Sequence, residues 1–120
     1  MSGTINIPRQ RPTFVYAIQM SCSIGFIKIG ISNDVKRRLA SMQTSNPYSL
    51  KVIRQWGPFD SIYAKRLEQR LHLAFEEVCS RGEWFGVDVE DISMHVLRLS
   101  GMGEKEFRAW LNARRFEGAA

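Results

Sequence analysis

Five side chains in the first two thirds of the sequence could together do chemistry: Tyr16, Lys28, Arg38, Glu68 and His72. A phenol can take a proton once ionised, and a nearby ammonium favours the ionised form. A guanidinium presents a planar fork that matches the oxygens of an anion. A carboxylate is a hard oxygen ligand for a divalent cation. Each residue also has an ordinary role. Strand tyrosines fill cores, strand lysines face water, helix arginines cover apolar atoms with their stems, and helix glutamates are solvated or paired. Chemistry follows only if the chain brings these groups together.

The elements that must do so are legible. "TFVYAIQM" (13–20) and "GFIKIGI" (25–31) are rich in β-branched and aromatic residues and predict two strands, joined through "SCSI" as a hairpin. Alternation puts Lys28 on one face with Phe26 and Gly30. "SND" supplies an N-cap, with an acid in the first turn, for a helix over 34–43. Its buried stripe is Val35, Leu39 and Met42. Arg38 lies about 60° from the centre of that stripe and Arg37 points almost oppositely, so Arg38 alone of "KRR" can lean over the sheet.

"QTSNPYS" is a turn, "LKVIRQW" (50–56) a third strand, and "GPF" its break. Asp60 can cap a long helix over 61–78 whose apolar face is Tyr63, Ala64, Leu67, Leu71, Ala74, Phe75 and Val78. Glu68 sits on the shoulder of that face, about 80° from its centre, with His72 one turn further on the same side. "RGEWFGV" reads as a short extended or turn segment, and two further helices are expected over 89–99 and 103–116. The order β-β-α-β-α plus two C-terminal helices predicts an α/β (α+β type) domain with a small three-stranded antiparallel sheet flanked by helices. Residues 1–12 read as a flexible arm, 13–100 as the domain, and 101–120 as a C-terminal helix packed on it.

Bulk properties narrow the class. The 120 residues suit one domain, and 44% hydrophobic with 24% charged residues excludes a disordered chain. No apolar run has a membrane-spanning length and no leader pattern opens the chain, so a cytoplasmic location is expected. Cys22 and Cys79 lack zinc or disulfide spacing. The net charge of +5 is uneven: residues 1–81 carry 12 Lys/Arg against 5 Asp/Glu, and residues 82–120 carry 5 against 7. A polyanionic partner would therefore meet the part that holds the five candidate residues.

In combination, "FVY" (14–16), "KIG" (28–30), "RR" on the next helix and Glu68 on the long helix resemble the GIY-YIG endonuclease superfamily. The likeness is to its short phage and bacterial branch, of the meiotically-up-regulated-gene and phage-ORF type, whose second motif reads KIG. "QTSNP", "EQRLHLAF" and "GEWF" match that branch too, in the right order, over residues 14–86. The resemblance makes Tyr16 the first-motif tyrosine, Gly30 the glycine closing the second motif, Arg38 the helix arginine and Glu68 the metal ligand. Lys28 stands at the second tyrosine position and Phe14 at the initial glycine. Glu83 lies near a late asparagine of some members and receives no assignment. His72 belongs to the branch pattern, where it could orient Glu68, contact phosphate or cap the rim of its helix.

The implied activity is phosphodiester hydrolysis in DNA by a one-metal mechanism. Tyr16 would be the general base and Lys28 the cation favouring its ionised form. Arg38 would take the non-bridging oxygens, and Glu68 would hold Mg²⁺ or Mn²⁺. Lys36, Arg37, Lys51, Arg54, Lys65, Arg66 and Arg70 are the candidates for backbone phosphates, whereas Arg108, Arg114 and Arg115 belong to a helix packing its aromatic side on the core. No separate recognition domain is visible, so a partner protein could supply targeting; oligomeric state is open. Two other readings compete: a catalytically degraded relative that only binds nucleic acid, and a partner-binding domain of a phage or defence system.

Overall fold

The computed structural model describes residues 11–21, 25–81 and 83–118. Most of the expected N-terminal arm, Cys22 and most of the "SCSI" connection lie outside the described residues. β1 (Thr13–Met20) pairs antiparallel with β2 (Phe26–Ser32), in a register that sets Tyr16 opposite Gly30 and Ile18 opposite Lys28. β3 (Leu50–Phe59) pairs antiparallel on the other side of β1. β1 is thus an interior strand, covered on both faces, which is why its apolar run is nearly continuous. Val15 and Ala17 enter one core cluster while Tyr16 and Ile18 enter another. Each such buried aliphatic or aromatic side chain stabilises the fold by about 1.5–3 kcal/mol.

Among the described residues the sheet has five strands in the order β3-β1-β2-β5-β4, not the three expected. The additions are β4 (Cys79–Arg81) and β5 (Trp84–Gly86), the latter antiparallel to Phe26–Lys28 of β2. Three residues are too few to display a period of two, so these strands are specified by pairing and not by local pattern. β3 also runs further than expected, through Gly57 and Pro58. It is an edge strand, where a missing ladder donor costs little, and Gly57 takes a φ of 129° that an L side chain rarely adopts. The register shift between Thr13 and Val15 absorbs the extra residue as a bulge.

α1 (Val35–Thr44) starts on Asp34, whose carboxylate accepts from the Arg37 amide at 3.0 Å. Asp34 is therefore the cap itself, and the first turn holds no acid. Val35, Leu39 and Met42 pack on the Tyr16 face of the sheet, as their spacing predicts. α2 (Ser61–Ala74) is capped by Asp60 through the amides of Ile62 (2.7 Å) and Tyr63 (3.3 Å). It ends earlier than expected: Phe75 closes it, a 3₁₀ turn follows at Glu76–Val78, and Val78 is 43% exposed and leaves the apolar face. Leu67, Leu71 and Phe75 pack on the opposite face of the sheet with α3 (Val89–Ser100) and α4 (Glu104–Gly118).

Arg70 fastens α4 to this core. It is 5% exposed, donates to the carbonyl oxygens of Leu99 and Met102 at 2.7 Å each, and meets Glu104 at 3.4 Å. Its guanidinium also lies 4.9 Å from the Phe107 ring. The arginines of α4 itself fold back too: Arg108 on Glu104, Arg115 on Glu76, and Arg114 on His95 and the Trp110 ring. Among the described residues, no helix is long and apolar enough to cross a membrane.

Candidate active site

Tyr16 is the fixed point of the cluster. Its side chain is 1% exposed and its ring lies across Gly30: a Cβ there would come 2.6 Å from the Tyr16 Cζ and 3.0 Å from Cε1. The glycine is required by the tyrosine, because only a residue without a side chain leaves room for the phenol. Arg38 approaches the same phenol from α1, close enough for its charge to act on it. The Asp34 cap sets this approach, since it fixes where α1 begins and the Asp34 carbonyl accepts from the Arg38 amide at 3.0 Å.

Burial pushes the Tyr16 phenol above its ordinary pKa; Arg38 pulls it down without prevailing, and the charges of Glu83 and Glu68 push it up. The interaction with Tyr16 in turn raises the Arg38 pKa. The phenol is therefore protonated at neutral pH and already engaged by the group best suited to an anionic oxygen.

Lys28 shares the Tyr16 face but stands opposite Ile18, diagonal to the tyrosine and not across from it. Its Nζ lies 3.3 Å from Glu83 and 5.9 Å from the centre of the Trp84 ring, and its side chain is 19% exposed. The expectation that Lys28 is the cation facing Tyr16 is thereby corrected. Gly30 occupies the facing position, Arg38 is the cation on the phenol, and the lysine answers to Glu83.

A notch opens where β5 stops. β5 covers only Phe26–Lys28, so Ile29 presents its N–H and C=O to a side that no further strand residue fills among the described residues. Its N–H donates to the Glu83 carbonyl at 3.2 Å, and its C=O accepts from His72 Nε2 at 2.8 Å. A carbonyl only accepts, so Nε2 carries the proton. The imidazole also lies 4.9 Å from the Phe85 ring, which holds it at the sheet edge. Its clear structural role is to tie α2 to β2.

Glu68, one turn earlier on α2, is partly buried. Burial raises its carboxyl pKa; His72 opposes this, Glu83 adds to it, and Lys65 and Arg38 oppose it. Glu68, Glu83, Arg38 and Tyr16 thus feel one another's charge. No group of three His, Cys, Asp or Glu side chains that could hold a metal occurs among the described residues. A single partly buried carboxylate fits Mg²⁺ or Mn²⁺ only in the manner of a cation that keeps most of its waters.

The phosphate-binding candidates divide. Lys36 and Arg37 on α1, Lys51 on β3, and Lys65 and Arg66 on α2 are exposed. Arg54 remains accessible but is engaged by Ser93 at 2.7 Å and Glu90 at 2.9 Å. Arg70 is corrected: a guanidinium buried on carbonyls of the α3–α4 junction cannot meet a phosphate. Its position was readable, since residues 63, 67, 70 and 74 share the apolar stripe of α2. Glu83 is the residue sequence reasoning left unassigned. A cavity of about 470 Å³ lined by Gln19, Ile27, Ile53 and Val87 lies on the opposite face of the sheet and contains none of these groups.

No curated protein and no solved structure matches the chain. A family model does, the T5orf172 domain, over residues 13–100. It is a phage-ORF-type domain associated with nuclease-like proteins. The match takes in the whole sheet, α1 to α3 and every member of the cluster, and α4 lies beyond it. The chain belongs to the T5orf172 domain family.

Proposed function

We propose that this protein is a divalent-metal-dependent DNA endonuclease that hydrolyses phosphodiester bonds by a one-metal, GIY-YIG-type mechanism. The observation that carries the reading is the buried Tyr16 phenol seated on Gly30, with Arg38 and Glu68 close enough for their charges to act on it. Membership of a family associated with nuclease-like proteins supports it.

In this mechanism Tyr16, once ionised, removes a proton from the attacking water as the new P–O bond forms. The bond to the 3′-oxygen then breaks. Arg38 exchanges part of its hold on the phenol for the non-bridging oxygens, where negative charge accumulates in the transition state. That guanidinium therefore serves twice, stabilising the phenolate and the phosphoryl group. Glu68 would hold Mg²⁺ or Mn²⁺, which when bound supplies charge stabilisation to the leaving oxygen. Lys36, Arg37, Lys51, Lys65 and Arg66 grip the flanking backbone independently of sequence. Tyr16→Phe, Arg38→Ala and Glu68→Gln each abolish metal-dependent cleavage in an intact fold; unchanged cleavage in all three would overturn the assignment.

The burial that raises the Tyr16 pKa favours a second reading, a nucleic-acid-binding domain without catalysis. Such a domain would bind DNA with a steep salt dependence and give no product at any Mg²⁺ or Mn²⁺ concentration.

A further inference from the structure

Glu83, just before β5, is where the charged members of the cluster converge. Its carboxylate lies 3.3 Å from Lys28 Nζ, and its charge acts on Tyr16, Arg38 and Glu68. Its backbone carbonyl takes the N–H of Ile29, the residue between Lys28 and the motif glycine. Side chain and main chain of one residue therefore hold both sides of the "KIG" segment.

Without that carboxylate, the Lys28 ammonium would lose the partner that fixes it, and an ammonium on a flexible four-carbon stem is free to turn to water. The Trp84 ring, at 5.9 Å from Nζ, is a weak restraint. A carboxylate beside a phosphate-binding place also repels the substrate, so Glu83 works against ground-state binding. Its contribution must lie in where it puts the cations.

We propose that Glu83 is a positioning residue of this site: its carboxylate holds Lys28 on the Tyr16 face, so that the ammonium and the Arg38 guanidinium receive one phosphodiester group of DNA together. The proposal rests on the endonuclease reading for its catalytic consequence and on the ion pair for its geometry.

The test uses the full chain with Glu83→Gln, Glu83→Asp, Lys28→Met and the double variant Lys28→Met/Glu83→Gln. Three quantities are measured: single-turnover plasmid cleavage, metal-free DNA affinity by fluorescence anisotropy, and acetylation of Lys28 by acetic anhydride, read by mass spectrometry. Glu83→Gln slows cleavage by about 10- to 100-fold, the cost of misplacing a group near the reacting atoms. It also tightens DNA binding several-fold and speeds Lys28 acetylation, a combination that a purely structural defect would not produce. Glu83→Asp recovers part of the rate. In the Lys28→Met background, Glu83→Gln no longer slows cleavage.

Additive effects in the double variant would overturn the proposal, as would unchanged Lys28 acetylation in Glu83→Gln. If the wild-type protein gives no cleavage, the endonuclease reading fails by itself. The acetylation and affinity arms then decide whether Glu83 positions Lys28 for a bound phosphate. Should Glu83→Gln not fold, Glu83→Asp, which keeps the charge and shortens its reach, carries the same acetylation comparison.

Discussion

The Tyr16 ring rests on Gly30, so closely that a Cβ at position 30 would lie 2.6 Å from the phenol Cζ. The second-motif glycine is thereby explained by the first-motif tyrosine, across one register pair of β1 and β2. Gly30→Ala should displace the ring, cost about 1–3 kcal/mol of stability as overpacking does, and remove cleavage because the phenol loses its place beside Arg38. Thermal melting and plasmid nicking on the same preparation check both outcomes.

Glu68→Gln should separate activity from stability. Burial raises the folded-state pKa of Glu68, so the folded protein favours the protonated carboxyl. That contribution to stability is full below the unfolded pKa and is lost as pH rises through the folded one. At neutral pH the ionised Glu68 therefore destabilises the fold. Glu68→Gln should melt higher than wild type at neutral pH, with the difference vanishing in acid, while cleavage falls by about 100-fold or more. Melting curves at acid and neutral pH test the sign.

The pH dependence of cleavage should follow the phenol. Tyr16 is held protonated by burial, so the ionised fraction grows as pH rises through neutral into the alkaline range. kcat/KM should increase about tenfold per pH unit until the phenol titrates, and Tyr16→Phe should lose that limb. A rate that falls with rising pH would assign the base to another group.

Two arginines on the α1 and α2 helices should behave oppositely. Arg70→Met leaves the Leu99 and Met102 carbonyls without their donor and should cost about 3 kcal/mol, with the salt dependence of DNA binding unchanged. Arg37→Ala should leave stability intact and reduce the slope of log affinity against log salt by about 1. Denaturant melts and anisotropy at several salt concentrations distinguish the two.

Local pattern carries much of this fold and part of its site. β1, β2 and the helix starts at Asp34 and Asp60 were legible because capping chemistry and hydrophobic period act within a few residues. The placement of Arg38 over the sheet follows from helical geometry alone, and its charge acts on Tyr16. β4 was not legible and β5 only as a short extended or turn segment, since three-residue strands exist through their partners. With them went Glu83: a solitary acid before a short extended segment carries no periodic signal, and it matters only because β5 brings it to Lys28. Lys28 was readable as a residue on the tyrosine face, but its diagonal offset depends on a register that no local pattern sets.

The central claim is that Tyr16, Arg38 and Glu68 form one phosphodiester-hydrolysing site, and nicking of supercoiled plasmid tests it most directly. Wild-type protein and Glu68→Gln are compared under single-turnover conditions with Mg²⁺, with Mn²⁺ and with EDTA. The account predicts open-circular product from the wild-type protein with either metal, none with EDTA, and none from Glu68→Gln although it still binds the plasmid. A wild-type protein that binds but never nicks, or a Glu68→Gln protein that nicks at the wild-type rate, would contradict it.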